Sequence, residues 1–168
     1  MMQGSVRPDE ASARLAIMDQ LYRYCRSVDR LDVATGHGVF HADATGDFSP
    51  GYKGTGRGWI DYICEKHREF LHHSHQVTNI IIEIDGDRAG SESYVFATLQ
   101  RQDGETVVQH EFWARYIDSW SWRDGVWAID ARECIVDYGV MRAVDALPGN
   151  PRSARDATDP SYAVLKGT

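Results

Sequence analysis

The sequence predicts an α+β domain in which N-terminal helices pack on one face of a curved antiparallel sheet. Two observations support this prediction. Apolar residues recur at helical spacing in the first 72 residues, and three Asp-Gly pairs separate long strand-like segments after them. Helices followed by strands are typical of α+β architecture. A chain of 168 residues is long enough for one domain with a core and a pocket.

Three helices are predicted in the first part of the chain, at about 11–29, 33–40 and 57–71. The first has the clearest pattern, because its apolar residues recur at spacings of four, three and four. These residues are Ile17, Leu21, Tyr24 and Val28, with Met18, Tyr22 and Cys25 widening the stripe. A polar stretch containing glycine and proline, Asp47 to Gly58, separates the second and third helices.

Four strands are predicted after residue 72, at 75–84, 88–101, 106–122 and 126–138. The pairs between them are Asp85-Gly86, Asp103-Gly104 and Asp124-Gly125. Asp-Gly is a strong hairpin signal because both turn positions favour positive φ, so the strands should form an antiparallel meander. Several exceed the usual length of about five or six residues, so we expect the sheet to twist, to contain bulges and to leave a cavity at its open end.

The pattern weakens at both ends of the chain. We expect residues 1–10 to be a flexible N-terminus, 11–140 to be the domain and 141–168 to be a C-terminal extension. The extension contains Pro148, Gly149, Pro151, Pro160 and Gly167. This composition indicates an irregular segment that is ordered only against a neighbouring surface.

Composition argues against several classes of function. The chain has 18 basic and 25 acidic residues, a formal net charge of -7 and no basic stripe, so no nucleic-acid partner is expected. No apolar run approaches the roughly 18 residues that span a bilayer, and the N-terminus lacks a signal pattern, so we expect a cytoplasmic protein without a membrane partner. Three widely spaced cysteines, Cys25, Cys64 and Cys134, indicate reduced core residues.

Asp29 is the first candidate for chemistry. It ends the first predicted helix, where a carboxylate opposes the helix dipole and is slightly unfavourable unless a positive or hydrogen-bonding group compensates. The alternative is a solvated carboxylate paired with Arg26 or Arg30, and such surface pairs are common and weak.

His75 is the second candidate, because it opens the first long strand. Strand alternation puts Val77, Asn79 and Ile81 on its face, and an imidazole and an amide among apolar residues suggest the wet end of a pocket. The alternative is a surface histidine with satisfied hydrogen bonds.

Several other polar residues allow more than one interpretation. A metal site is suggested by His67, His72, His73 and His75. However, the first three lie on or just beyond a helix end and no ligand-spacing motif is present, so no metal is expected. Arg132 shares a strand face with Cys134 and Val136, and is either an ion-paired core residue or an anion clamp. Trp120, Trp122 and Trp127 are more typical of packing or of an oligomer interface than of a stacking platform.

From about residue 11 to 140 the chain resembles the SnoaL-like branch of the nuclear-transport-factor-2-like superfamily, which includes dehydrochlorinases and dehydratases. The resemblance lies in the order of four segments. They are Ile17-Met18-Asp19-Gln20-Leu21-Tyr22 followed by Val28-Asp29, then His75-Gln76-Val77-Thr78-Asn79, then Arg123-Asp124-Gly125-Val126-Trp127, then Ala131-Arg132. The resemblance implies a cone-shaped α+β barrel.

The resemblance also implies a catalytic set, in which Asp29 and His75 form the pair, Arg132 is the arginine of the last strand and Tyr24 occupies the position five before the aspartate. Five residues of ideal helix rotate by about 140°, so Tyr24 shares a pocket with Asp29 only if the helix loosens near Val28. Neutral His75 would remove a proton while Asp29 fixes its tautomer. Tyr24 would donate to the leaving group, and Arg132 would stabilise developing negative charge.

The function implied is that of a cofactor-independent lyase of the dehydratase or retro-aldol type, acting on a hydrophobic aromatic or alicyclic small molecule. The candidate substrate-binding residues are Tyr52, Asn79, His110, Phe112 and Tyr116. The resemblance further implies a homo-oligomer, a trimer or dimer. Two alternatives stay open: an isomerase or polyketide-type cyclase on the same site, and a non-catalytic subunit resembling the small subunit of ring-hydroxylating dioxygenases.

Overall fold

The computed structural model describes residues 8–146, 149–150 and 152–165, in which three helices precede or interrupt a six-stranded sheet and a short helix follows it. The elements are α1 (Glu10–Arg30), α2 (Val33–Val39), β1 (Phe40–Phe48), β2 (Tyr52–Thr55), α3 (Gly56–His67), β3 (His72–Asp85), β4 (Arg88–Asp103), β5 (Thr106–Arg123), β6 (Val126–Val144) and α4 (Ser161–Val164). Most of the predicted N-terminus, 1–7, lies outside the described residues, as do Pro148, Pro151 and Gly167 of the predicted extension. Within the described part of the chain, no helix has the length and apolar character needed to cross a membrane.

Helix α1 ends at a defined point because the chain turns into the left-handed region at Leu31, with φ of 55°. The Leu31 amide donates to the Val28 carbonyl (3.2 Å), and the Asp32 amide donates to the Ser27 carbonyl (2.8 Å). This pair of bonds is the Schellman arrangement that closes a helix C-terminus. Asp29 is therefore fixed in the last turn of α1.

The predicted apolar stripe of α1 faces the sheet. Ile17, Leu21, Tyr24 and Val28 are each at most 2% exposed, which confirms the periodicity argument. Tyr22 is 49% exposed, so its inclusion in the stripe was wrong. It lies one position beyond Leu21, which turns its side chain away from the core.

Strands β3 to β6 form the predicted antiparallel meander. In the last hairpin Asp124 and Gly125 are the two turn residues and both have positive φ, 54° and 87°. In the first two hairpins Gly86 and Gly104 are the first turn residues, with φ of 60°, while the preceding aspartates still pair across the strands. The Asp-Gly signal thus located all three turns.

The whole sheet is larger than predicted and not entirely antiparallel. Its strand order is β2-β1-β6-β5-β4-β3, and β1 runs parallel to β6. Strands β1 and β2 were missed because the segment 40–55 is rich in glycine and aspartate, which are depleted in strands. The sheet remains open at β2 and β3 and curves around the helices.

Bulges bend the long strands, as their length predicted. Register shifts occur between Thr78 and Ile81 and at two places along the β5–β6 pairing. Trp120 and Trp127 are each 1% exposed and belong to the core, which confirms packing as their role. The cysteines are free: Cys25 and Cys64 are buried and Cys134 is half-buried.

Candidate functional site

The structure brings Asp29 and His75 into direct contact through two hydrogen bonds. The backbone amide of His75 donates to Asp29 Oδ2 at 3.0 Å, and ring atom Nδ1 lies 2.7 Å from Oδ1. Both side chains are largely buried, at 10% and 16% exposure. Because a carboxylate only accepts, Nδ1 carries the proton of the neutral imidazole, and the lone pair is on Nε2. No described residue provides a hydrogen-bond partner for Nε2.

Two elements position this pair. Asp29 occupies the last turn of α1, where the helix dipole disfavours a carboxylate, and the two donors of His75 compensate for this. His75 lies near the start of β3, which packs against α1. The alternative pairing of Asp29 with Arg26 or Arg30 does not occur: Arg26 lies near Asp32 at 3.5 Å, and Arg30 near Asp159 at 3.7 Å.

Two further histidines lie beside the pair. The His67 ring stacks on His75 with centroids 5.8 Å apart, and lies 4.6 Å from the His73 ring. Burial lowers the pKa of His67 to about 3, and burial also lowers the pKa of His73. Both rings are therefore neutral at physiological pH.

Hydrogen bonds on both ring nitrogens orient His73. Its Nε2 donates to the Val28 carbonyl at 2.8 Å, and Arg155 Nη1 donates to its Nδ1 at 3.3 Å. His73 therefore has the tautomer opposite to that of His75. Among the described residues, no group of three or more histidine, cysteine or carboxylate side chains has the geometry to hold a metal.

A cleft of about 410 Å³ lies at the pair. Its lining combines residues of the last three turns of α1, the start of β3 and the C-terminal segment. The lining residues are Tyr22, Cys25, Arg26, Asp29, Arg30, His75, Val77, Ser161 and Leu165.

Tyr24 does not line this cleft. Helix α1 is continuous through Val28, so the five-residue offset turns Tyr24 into the core while Asp29 faces His75. The Tyr24 hydroxyl accepts a hydrogen bond from Trp59 Nε1 at 2.8 Å. Burial raises the pKa of Tyr24 well above its ordinary value, so the phenol stays protonated.

Arg132 is an ion-paired core residue. Its Nε and Nη2 donate to the two oxygens of Asp118, both at 2.7 Å, and both side chains are fully buried. The guanidinium lies between the rings of Tyr24 and Tyr116, 4.1 Å from each centroid. Of the two interpretations left open by the sequence, the ion-paired one describes the contacts found. The remaining nitrogen, Nη1, is buried and has no partner within the described chain.

The five candidate substrate-binding residues are dispersed, and none lines the cleft. Tyr52 packs against Trp59 and Tyr62, and its hydroxyl donates to the Thr55 carbonyl at 3.0 Å. Asn79 is exposed and has a positive φ of 47° at the β3 bulge. The bulge breaks the alternation, so the prediction that Asn79 and Ile81 share a face with His75 was wrong.

The other three candidates lie along β5. Phe112 is in register with His75 through Ala97 of β4, which puts it two strands away on the same sheet face. Strands in a sheet are about 4.8 Å apart, so Phe112 lies roughly 10 Å from His75. His110 packs edge-on against Phe70, whereas Tyr116 is buried against Arg132.

Sequence reasoning missed three contributions to the site. His67 was considered only as a metal ligand, although its position at the end of the third helix and close to His75 in sequence was visible. Asp118 pairs with Arg132, which lies 14 positions later, and no local sequence pattern indicated that pairing. Residues Ser161 and Leu165 of the extension line the cleft, and no sequence signal indicated where the extension would dock.

Comparisons with known proteins agree with this architecture. A family model described as a SnoaL-like domain matches residues 9–133. A search of curated protein sequences finds no relative that matches the chain.

Three solved structures illustrate the structural likeness. Hexachlorocyclohexane dehydrochlorinase LinA-type3 from Novosphingobium barchaimii has a TM-score of 0.71 and 18% identity, over 85% of this chain and 97% of that one. A candidate scytalone dehydratase from Novosphingobium aromaticivorans has a TM-score of 0.70 and 21% identity, over 85% and 96%. Rv3472, a protein of unknown function from Mycobacterium tuberculosis, has a TM-score of 0.65 and 25% identity, over 95% and 87%.

The family model covers most of the chain, and the neighbours share its helices and curved sheet. The protein belongs to the SnoaL-like domain family, with the nuclear-transport-factor-2-like fold.

Proposed function

We propose that the protein is a cofactor-independent lyase in which His75 is the general base and Asp29 its orienting partner. One observation carries the proposal: the Asp29 carboxylate bonds both the ring and the backbone amide of His75 at the edge of a cleft. A base must be within hydrogen-bonding reach of the proton that it removes, and Nε2 of His75, which has no partner among the described residues, is available to accept one.

The proposed reaction is an elimination. Nε2 of His75 takes a proton from substrate carbon or hydroxyl, and the resulting imidazolium is stabilised by Asp29. The bonding electrons form the new double bond as the leaving group departs with its electron pair. A basic leaving group takes a proton from water, and the hydroxide that results takes the proton from Nε2 of His75, which restores the base.

Arg132 and Tyr24 contribute less directly in this scheme than the resemblance implies. Asp118 neutralises the guanidinium, and Tyr24 lies in the core. Cys25 lines the cleft; burial raises the pKa of its thiol, while the positive charge of Arg132 lowers that pKa. We propose that Arg132 acts on the site indirectly, by holding the core residues around it in place and by the electrostatic field of its charge.

An aromatic or alicyclic small molecule is the proposed substrate class. Tyr22, Val77 and Leu165 give the cleft apolar surface beside the polar pair. By its name, the neighbouring dehydrochlorinase acts on a chlorinated cyclohexane, which is an alicyclic molecule that undergoes elimination. The similarity to that protein supports the class and leaves the individual substrate open.

A non-catalytic role is disfavoured by the same contact. A scaffold subunit needs no histidine whose tautomer is set by a partly buried carboxylate. An isomerase or cyclase would use the same base, so product analysis has to separate these reactions from an elimination.

The experiment is a binding and turnover screen against aromatic and steroid-like alcohols and ketones. A ligand of the folded state raises its melting temperature by mass action. Each stabilising compound is then incubated with the protein, and the products are analysed by mass spectrometry. An elimination gives a product lighter by the proton and the leaving group, whereas a product of unchanged mass indicates an isomerase or a cyclase. Absence of any stabilising compound and any product across the panel contradicts the proposal.

We also propose self-association through the outer face of the sheet. Phe96, Trp113 and Tyr138 form a row across β4, β5 and β6 with ring centroids 4.7 Å apart, and Tyr138 is 57% exposed. Light scattering should show a dimer or trimer, and Tyr138→Glu should shift it towards the monomer. A wild-type monomer at micromolar concentration contradicts self-association.

The expected cytoplasmic location remains a prediction.

A further inference from the structure

Residues 152–165, which we call the strap, cover one side of the cleft. Ser161 and Leu165 of the strap line the cleft opposite Asp29 and His75. The strap is folded around Asp159, which is 7% exposed and accepts bonds from the Ser161 amide (3.0 Å) and the Ala154 amide (3.3 Å). It is therefore a structured segment with its own internal turn.

Two groups of contacts attach the strap beside the pair. The first is at the end of α1. The Tyr162 hydroxyl donates to Asp32 Oδ2 at 3.0 Å, and the Tyr162 ring lies under Arg26, with the guanidinium carbon 4.5 Å from the centroid. Arg26 Nη2 also donates to Ser161 Oγ at 3.3 Å.

The second group lies at the histidines. Arg155 Nη1 donates to the His67 carbonyl at 2.8 Å and to His73 Nδ1 at 3.3 Å. The strap therefore spans from the histidines behind His75 to the residues just past Asp29.

The contacts that attach the strap to the domain are of types that contribute little stability. For residues 152–164 of the strap, the backbone hydrogen bonds found are internal or reach only Asn150, and side chains of the strap make the contacts with α1 and with the histidines. Helix α4 has no buried residue, and Val164 is 77% exposed. Segments with little buried apolar surface and few backbone bonds to the core open locally at low free-energy cost.

We propose that the strap is a gate whose opening admits substrate to His75, with Tyr162 as its latch and with Ser161 and Leu165 as the residues that limit substrate size. The gate rests on the proposed function only in taking His75 as the residue that a substrate must reach. In the closed state the His75 side chain is 10% exposed, so a bulky molecule needs the strap to move.

The test measures access rather than turnover. Diethyl pyrocarbonate acylates unprotonated imidazole nitrogen, and peptide mass spectrometry gives the rate at each histidine. Tyr162→Ala removes the ring and the hydroxyl, Tyr162→Phe removes the hydroxyl alone, and Asp156→Asn is the control. Among the contacts of the described chain, the side chain of Asp156 bonds only the side chain and the backbone amide of Thr158, within the strap. His37 and His41, on α2 and β1, report general unfolding.

We expect Tyr162→Ala to accelerate acylation of His75 about tenfold, which corresponds to roughly 1.4 kcal/mol of lost latch stability. The acylation rate of His75 in Tyr162→Phe should lie between those of Tyr162→Ala and wild type, and the rate in Asp156→Asn should equal that of wild type. A His75 rate within twofold of wild type in Tyr162→Ala overturns the gate, as does an equal acceleration at His37 and His41. Acylation is independent of catalysis, so the gate can fail while the lyase proposal stands, and the reverse also holds.

Discussion

The Asp29 carboxylate accepts two hydrogen bonds from one residue, His75, through the ring at 2.7 Å and through the backbone amide at 3.0 Å. The second bond makes this pair more rigid than a side-chain contact alone. Asp29 Oδ2 accepts from the backbone amide of His75. This bond holds Asp29 Oδ1 against ring atom Nδ1 and away from Nε2. The tautomer of His75 is thereby determined by the backbone as well as by the carboxylate.

Replacing Asp29 by Asn tests that relationship. The amide proton of His75 requires the Asn oxygen, so the Asn NH₂ faces Nδ1 and forces the proton onto Nε2, which removes the base. We expect kcat to fall by about 10³ to 10⁴, as for a triad histidine held in the wrong tautomer, and unfolding free energy to fall by roughly 1–3 kcal/mol. Steady-state kinetics and urea denaturation measure the two effects.

The matched control is Asp19→Asn, an exposed carboxylate of the same helix that pairs with Arg23. It should change kcat by less than twofold. Equal activity of Asp29→Asn and Asp19→Asn would remove the orienting role.

Opposite tautomers of two nearby histidines are a second expectation. His75 should carry its proton on Nδ1, and His73 on Nε2, which donates to the Val28 carbonyl. Long-range ¹H–¹⁵N correlation spectra of the imidazole rings at alkaline pH distinguish the two forms. Finding His75 protonated on Nε2 would rule out Nε2 as the base in the resting protein.

The buried His67 predicts a pH dependence of stability. Burial lowers its folded pKa to about 3, whereas an unfolded imidazole titrates near 6.5. Between these values the unfolded chain binds the extra proton. His67 therefore lowers the unfolding free energy as pH falls from about 6.5 to 3, by up to roughly 1.4 kcal/mol per pH unit, and has no such effect above that window.

His67→Phe removes this titration and retains an aromatic ring against Phe70. The variant should lose less stability than wild type between pH 6 and 4, with similar or higher stability at pH 7. Denaturant unfolding at several pH values measures the difference. Parallel pH curves for the two proteins would show that His67 is protonated in the folded state.

The buried Asp118–Arg132 pair should contribute mainly to the stability of the fold. Breaking a buried pair from one side costs about 3–5 kcal/mol because the other charge stays buried, whereas an exposed pair contributes about 1 kcal/mol or less. Asp118→Ala should therefore destabilise strongly, and Glu65→Gln, at the exposed Arg68 pair, should not. The double variant Asp118→Leu with Arg132→Met should recover much of the loss. A stable Asp118→Ala protein would indicate that water reaches the pair.

Local patterns in the sequence predicted the parts of the fold that local interactions determine. The α1 stripe and three hairpin turns are examples, since each depends on residues close in the chain. Strand β1 was missed because its glycine and aspartate residues are depleted in strands, and its parallel pairing with β6, about 85 residues later, has no turn signal to indicate it. Asn79 was assigned to the wrong face of β3. The bulge there reverses the alternation of side chains between the two faces, and no residue pattern in the sequence marks the bulge.

In the site, too, the contacts between residues distant in the chain were the ones that local sequence patterns did not predict. Asp29 and His75 were each ambiguous alone, because their contact joins positions 46 apart and only the resemblance linked them. Arg132 had two interpretations until Asp118 was seen on both of its donor nitrogens. The strap contacts are polar side-chain contacts between distant segments, which sequence patterns do not encode.

The most direct test of His75 as the general base is the turnover of His75→Ala on a compound that the wild-type protein converts. The fold should persist, because the backbone amide of residue 75 still bonds Asp29. We predict that kcat/KM falls by at least about 100-fold, as expected for loss of a general base, with a melting temperature close to that of wild type. A folded His75→Ala protein that retains full activity would show that His75 is not the general base.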